Sequence, residues 1–125
     1  MCHALFLAAP IDLPQMAPTD PPTFSVESIG GNYQGIRQHF PPNWSIRYLG
    51  SSSGCSCSFH GKNDGSRQAL RDYLSTLPAG TTVQLYDCWE GECELAVEEN
   101  TCASIADLSL AESPLAYRRL VTMTT

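Results

Sequence analysis

The fold class is decided by the stretch SRQALRDYLSTL, residues 66–77. Its apolar positions recur at i, i+3, i+4 and i+7, the spacing of one side of a helix. This stripe consists of Leu70, Tyr73, Leu74 and Leu77. Asp64 or Ser66 can cap the first turn, and Pro78 with Gly80 ends the helix. A helix with a single apolar stripe predicts that it covers one face of a sheet.

Strand patterns lie on both sides of this helix. Apolar and polar residues alternate in several stretches, as they do in half-buried strands. The predicted strands are residues 2–9, 44–50, 82–89, 92–99 and 117–124, and the alternation is clear in 44–50 and 117–124. The sequence therefore predicts an α+β fold, a mostly antiparallel sheet of about five strands with one main helix packed on one face.

Proline shapes the region between the first two of these strands. Seven of the nine prolines lie between Pro10 and Pro42, and proline interrupts long regular elements. Residues 10–43 are therefore predicted to form an irregular arm, with room for a short strand at 23–29 and a short helical piece at 34–40. A helical turn is also predicted at 104–108.

The stretches 82–89 and 92–99 together predict a hairpin, and its register decides what its two cysteines can do. A two-residue turn sets Cys88 opposite Cys93. A three-residue loop ending in Gly91 instead matches Val83 with Val97, and it gives glycine the left-handed position of such a loop. The apolar match favours the second register. It predicts that Cys88 and Cys93 face opposite sides and do not form a disulfide.

Composition restricts the function classes. The chain has 125 residues, 42% hydrophobic and 16% charged, with a net charge of −6, which indicates a single domain, residues 1–125, with its own core. An acidic chain disfavours binding to nucleic acid or to anionic membranes. No apolar run approaches the about 18 residues of a membrane span. The run at residues 4–9 is short and ends at Pro10, so no secretory signal is expected and the expected location is the cytoplasm.

The six cysteines are read in that light. In a reducing compartment, thiols are more often core residues, metal ligands or redox groups than disulfides. A framework of three disulfides is the alternative that an extracellular location would favour.

The segment GCSCSFH, residues 54–60, carries the strongest indication of chemistry. Cys55 and Cys57 supply two thiolates, and Cys2, His3 or His60 could complete a tetrahedral site for a soft metal, with zinc the first choice. This hypothesis expects the segment of Cys2 and the segment of Cys55 and Cys57 to meet in space.

Two other interpretations of this segment stay open. A cysteine pair can also perform thiol redox chemistry, with one thiol attacking and the other resolving. Alternatively the cysteines only pack in the core of a structural or interaction module. In an extended chain Cys55, Cys57 and Phe59 would share one face, and His60 would lie on the other.

The remaining polar residues predict less. His39, beside Phe40, is expected at the surface or in packing rather than as a base. A group of glutamates near the predicted hairpin is expected to form a solvated face. Its members are Glu90, Glu92, Glu94, Glu98 and Glu99.

Two resemblances concern the cysteine segments. The opening Met1-Cys2 resembles glutamine amidotransferases, which implies that Cys2, once exposed as the N-terminus, would act as a nucleophile with its own amine as base. If Met1 stays, His3 is third in the chain, a position that chelates copper or nickel. The opening MCHALFLA and the motif GCSCSF together resemble a group of small uncharacterised bacterial proteins. That likeness implies a free-standing cytoplasmic domain and no particular activity.

Overall fold

One mixed β-sheet organises the chain. The computed structural model describes residues 2–18, 24–29, 33–51, 56–60, 65–109 and 114–125. Within these ranges it contains six strands, one α-helix and three 3₁₀ helices. The predicted α+β class is confirmed, with six strands where about five were expected. None of the described helices is long and apolar enough to cross a membrane.

The strands are arranged around the first one. In chain order they are β1 His3–Ala9, β2 Phe24–Ser28, β3 Ser45–Ser51, β4 Thr82–Trp89, β5 Glu99–Cys102 and β6 Arg119–Thr124. Their order across the sheet is β2-β3-β1-β4-β6-β5. All neighbours are antiparallel except β5 and β6, which are parallel. The sheet is thus mostly antiparallel, as predicted, with one parallel edge.

Strand β1 is apolar on both sides, and a core lies on each face of the sheet. Leu5 and Leu7 belong to one cluster, with the helix packed over them. Ala4 and Phe6 belong to a second cluster on the opposite face. The prediction of a helix on one face is confirmed, and the second face is covered by the end of the arm and by the chain after β4.

The helix, α1 Ser66–Ser75, has the predicted apolar stripe. Leu70 and Leu74 are fully buried, Tyr73 is 5% exposed, and Leu77, just beyond the helix, is 7% exposed. The capping prediction fails for Ser66, which lies inside the helix, because the N-cap is Gly65 at φ 78° with no side-chain cap. Asp64 lies outside the described residues.

The arm and the later connection contain the short elements predicted for them. A 3₁₀ helix, Gln34–His39, occupies the expected position of the helical piece, and another, Ile105–Ser109, that of the helical turn. Strand β2 lies within the predicted stretch 23–29 and pairs with β3. The arm is therefore irregular but contributes both an edge strand and part of the second core.

The predicted hairpin is wrong in its second half. Strand β4 has the predicted bounds. It was predicted to pair with residues 92–99 but pairs with β6 instead, so Val83 lies opposite Met123 and Leu85 opposite Val121. These side chains provide the apolar pairing that the prediction assigned to residues 95 and 97. After the left-handed Gly91, at φ 87°, the chain turns away and reaches the sheet edge as β5.

Because the predicted hairpin does not form, the faces on which Cys88 and Cys93 lie also differ from the prediction. Cys88 and Cys93 are both free, as predicted. They do not face opposite sides, because both belong to the second core cluster. The reason given for the missing disulfide was therefore wrong. The five cysteines within the described ranges are all free.

Leu74→Ala should lower the free energy of unfolding by roughly 2–5 kcal/mol, because it leaves a cavity under the helix. Urea unfolding followed by circular dichroism measures this change. The control, Ser75→Ala, removes an exposed side chain of the same helix and should shift stability by about 0.5 kcal/mol or less. Equal, small effects of both changes would show that the helix stripe is not core.

Candidate functional site

A histidine–carboxylate pair lies where β1 begins and β4 ends. His3 pairs with Trp89 across the two strands, and Asp87 lies two residues before Trp89. The Nδ1 atom of His3 is 3.1 Å and 3.0 Å from the two carboxylate oxygens of Asp87. An ionised carboxylate only accepts hydrogen bonds, so Nδ1 carries the proton that is donated. The contact thereby fixes the orientation of the imidazole ring.

The two members of this pair differ in solvent exposure. Asp87 is 1% exposed, whereas the His3 side chain is 19% exposed. The His3 ring packs on Trp89 with 4.2 Å between ring centroids, and Trp89 in turn contacts Tyr117. A buried carboxylate thus supports an imidazole that reaches the surface.

The cysteine-bearing segment is fastened to this end of β1 by Ser56. Its hydroxyl donates to the Leu49 carbonyl at 2.6 Å and accepts from the Leu5 amide at 2.8 Å. Leu5 and Leu49 face each other in β1 and β3, so the hydroxyl bridges the two strands. The Ser56 amide also donates to the His3 carbonyl at 3.2 Å. Ser56 is fully buried and holds its segment against His3.

Cys57 follows directly and contacts the same residue. Its Sγ accepts a hydrogen bond from the His3 backbone N–H at 3.2 Å. The expected meeting of the two cysteine-bearing segments is therefore confirmed. The extended conformation is not found, because residues 57–60 form a 3₁₀ helix, Cys57–His60, in which Phe59 is buried and Cys57 half-buried.

The predicted ligands are only partly brought together. His3 and Cys57 are in contact, and Cys2 is exposed beside them, with its carbonyl bonded to the Glu90 amide at 2.8 Å. Cys55 lies outside the described residues, and so does the side chain of His60. Among the side chains that are described, no three of His, Cys, Asp and Glu are arranged to hold a metal ion.

The sequence prediction missed two residues of this site, Asp87 and Ser56. Asp87 had a detectable signal, since an acid inside an apolar strand needs a partner. Ser56 gave no such signal, because a serine between two cysteines looks like a spacer. Both turn out to be the buried residues that position His3 and Cys57.

The opposite face of the same sheet end has a polar cluster of its own. The hydroxyls of Tyr33 and Tyr48 both donate to the Glu90 carboxylate, at 3.1–3.4 Å, and the two rings are stacked 5.6 Å apart. The predicted solvated face is therefore corrected for Glu90 and Glu92, which are half-buried, while Glu94, Glu98 and Glu99 are exposed as expected. Burial, followed by the charge of Glu90, raises the pKa of Tyr33 to about 12.

His39 has the packing role that was expected. Its ring lies against Tyr86, with 4.6 Å between centroids, and its Nε2 atom donates to the Cys93 carbonyl at 2.7 Å. The nearby Gln38 amide donates to the Glu94 carbonyl, also at 2.7 Å. The 3₁₀ helix of the arm is thus tied to the chain that follows β4.

Comparison with known proteins adds no identification. The chain matches no protein-family model, no curated protein and no solved structure. Function is therefore argued from the geometry of the site.

Removing the Ser56 hydroxyl should loosen the site and the sheet together. Ser56→Ala leaves the Leu5 amide and the Leu49 carbonyl without their shared partner, which should cost about 1–3 kcal/mol. Denaturant unfolding measures the loss, and hydrogen exchange of the Leu5 amide should accelerate. Exposed Ser104 provides the control, since Ser104→Ala should change stability little. Unaltered exchange at Leu5 would contradict the bridging role.

Alkaline pH should destabilise the fold partly through Tyr33. A phenol whose folded pKa is raised binds its proton more tightly when folded, so its contribution is present below about pH 10. That contribution is lost as the pH rises toward about 12. Unfolding free energies measured across this range should fall less steeply in Tyr33→Phe. An unchanged slope would mean that Tyr33 titrates as it does in the unfolded chain.

Proposed function

We propose that this protein binds a soft divalent metal ion, zinc in the first place, through His3 and Cys57. The observation that carries the proposal is the Asp87 carboxylate on His3 Nδ1, 3.0 Å away and 1% exposed. Histidine ligands of zinc commonly donate their second ring N–H to a carboxylate, which fixes the tautomer and makes the ring a better ligand. With Nδ1 held by Asp87, His3 would bind the metal through Nε2.

The thiol partner also suits a metal site. The backbone N–H of His3 donates to Cys57 Sγ at 3.2 Å, and such a donor stabilises the negative thiolate that metals bind. Ser56 fixes this thiol next to His3 through three hydrogen bonds of 2.6–3.2 Å. A preorganised pair of ligands reduces the entropy lost on metal binding.

Charge supports the same interpretation. A buried carboxylate is stable only when it is paired or hydrogen-bonded, and a bound cation beyond the imidazole would add favourable charge to that of Asp87. Zinc needs three or four protein ligands. Cys2, next to His3 in the chain, and Cys55, next to Ser56, are the candidates for the remaining positions.

A structural module is the second candidate, favoured by the same hydrogen bonds. Ser56 and Cys57 both accept backbone N–H groups of β1, a role that needs no metal. In that case Cys57 serves as an acceptor for the first backbone N–H of β1, and His3 and Asp87 are a hydrogen-bonded pair that packs against Trp89. The two candidates differ in metal content and in thiol reactivity.

Protein purified without chelator should contain about one equivalent of zinc, and cobalt added to the metal-free chain should give thiolate-to-cobalt absorption bands. Cys57→Ser and His3→Ala should abolish both signals. Asp87→Asn should weaken metal affinity about 10- to 100-fold, because the ring loses its orienting carboxylate. Removal of zinc should lower stability, since metal affinity contributes to folding.

The control for the metal experiment is Cys102→Ser, an exposed cysteine on the edge strand, which should keep the zinc and the cobalt spectrum. A wild-type chain that takes up neither metal, with Cys57 inert to alkylation until unfolding, would favour the structural module. Zinc retained in Cys57→Ser would place the metal elsewhere.

A further inference from the structure

The second face of the sheet contains a pair of thiols that the proposed metal site does not use. Cys88 is fully buried near the end of β4, and Cys93 is 6% exposed after the turn that follows. The turn is closed by the Glu92 amide, which donates to the Trp89 carbonyl at 3.0 Å, and it passes through the left-handed Gly91. The two cysteines flank this turn and belong to the same buried cluster, and the Cys93 thiol donates to the Trp89 carbonyl at 3.6 Å.

Cys93 lines an opening to the surface. A cleft of about 300 Å³ is bordered by Tyr33, Gly35, Glu90, Gly91, Cys93 and Glu94. Cys93 is part of its wall, while Cys88 is fully buried in the core and lies opposite Ala4. A reagent in the cleft therefore meets Cys93 rather than Cys88.

The environment of the inner thiol keeps it protonated. The neighbouring Cys93 thiol, followed by burial, raises the pKa of Cys88 well above its usual range. A thiol of this kind is a poor attacking group but can react intramolecularly once its neighbour has become a disulfide. The outer position of Cys93 and the inner position of Cys88 thus suit an attacking and a resolving thiol.

We propose that Cys93 and Cys88 form a thiol–disulfide exchange site that accepts small uncharged or cationic disulfides from the cleft. In the first step the Cys93 thiolate attacks one sulfur of the disulfide RSSR, and the S–S bond of the reagent breaks. The departing RS⁻ takes up a proton from solvent, and Cys93 is left in a mixed disulfide.

In the second step Cys88 resolves that mixed disulfide. Its thiol gives its proton to solvent, its sulfur attacks Cys93 Sγ, and the second RS⁻ leaves and is protonated. Overall the two protein thiols are oxidised to one disulfide, and RSSR is reduced to two RSH. The two sulfurs must approach each other to the S–S distance of about 2 Å.

The charge of the cleft selects the reagent. Glu90 accepts both tyrosine hydroxyls, as a carboxylate does, and exposed Glu94 lies on the same wall. These carboxylates repel an anionic disulfide such as oxidised glutathione and attract a cationic one such as cystamine. Differences of about tenfold or more in association rate are typical of such electrostatic steering at low salt.

Formation of the Cys88–Cys93 disulfide should also change the contacts of the arm. The Cys93 carbonyl accepts from His39, and the Glu94 carbonyl accepts from Gln38. An added Cβ at Gly35 would meet the Cβ of Glu94 at 2.8 Å, so the 3₁₀ helix packs tightly against this segment. Drawing Cys93 toward Cys88 would therefore disturb the contacts that hold the arm on the second core.

The test treats the reduced full-length chain with cystamine at low salt and maps disulfides by peptide mass spectrometry. The expected product is the Cys88–Cys93 bridge, formed at least about tenfold faster than with oxidised glutathione. That ratio should shrink as salt screens the carboxylates. Glu94→Gln should raise the rate with oxidised glutathione and lower the rate with cystamine.

Variants separate the two steps. Cys88→Ser should stop at the mixed disulfide on Cys93, whereas Cys93→Ser should leave Cys88 unmodified. Cys102→Ser, which changes an exposed cysteine outside both sites, should react as the wild-type chain does. Metal content and the disulfide map are measured separately, so failure of either proposal is visible without the other. In the bridged form the ring signals of His39 should shift in NMR spectra.

Three results would overturn the exchange site. In the first, Cys88 and Cys93 of the native wild-type chain stay reduced while Cys2 or Cys102 reacts. In the second, Cys88→Ser accumulates no adduct on Cys93. In the third, oxidised glutathione reacts as fast as cystamine at low salt. The wild-type peptide map decides the question even if a cysteine variant fails to fold.

Discussion

Strand β1 is the constraint on which the rest of the structure depends. Its residues from Ala4 to Ala9 are buried without exception, so both of its faces require apolar cover and both of its edges require hydrogen-bonding partners. β3 and β4 satisfy the edges. The helix α1 covers one face, and the other face is covered by the arm and by the chain after β4. This need explains why the proline-rich arm packs on the sheet.

The same strand positions both groups of reactive residues. Its first residue, His3, lies opposite Trp89, and its second, Ala4, lies opposite Cys88. Side chains alternate between faces along a strand, so Asp87 and Cys88, though adjacent, belong to different sides of the sheet. The His3–Asp87 pair faces the side of the helix, and the Cys88–Cys93 pair faces the side of the arm.

Local patterns predicted the parts of the fold that depend on local periodicity. The stripe of α1 and the bounds of β4 needed no information from distant residues. The stretch 92–99 failed because strand pairing is a competition between distant partners. Leu95 and Val97 fit β4 by pattern, but Val121 and Met123 fit it too, and the latter occupy that position. Leu95 is instead 38% exposed.

The sequence predicted which side chains of the candidate site could carry chemistry, but not which residues hold them in position. Thiol and imidazole side chains stand out in a sequence, and they gave five candidates, Cys2, His3, Cys55, Cys57 and His60, without showing that His3 and Cys57 are in contact. Their supports are ordinary residue types whose importance comes from burial. Asp87 shows itself by its position in an apolar strand, whereas nothing in the sequence indicates that the Ser56 hydroxyl joins β1 to β3.

Separation by the sheet has a chemical consequence. Soft metals bind thiolate ligands, and Cys88 with Cys93 is a second pair of thiols in this chain. The pair is buried on the arm side, where the neighbouring Cys93 thiol and burial raise the pKa of Cys88. Metal binding requires deprotonated thiols, so this environment disfavours it there. The two proposed chemistries are therefore assigned to different faces of the sheet, metal binding to the helix side, where Cys57 accepts a backbone N–H, and disulfide exchange to the arm side.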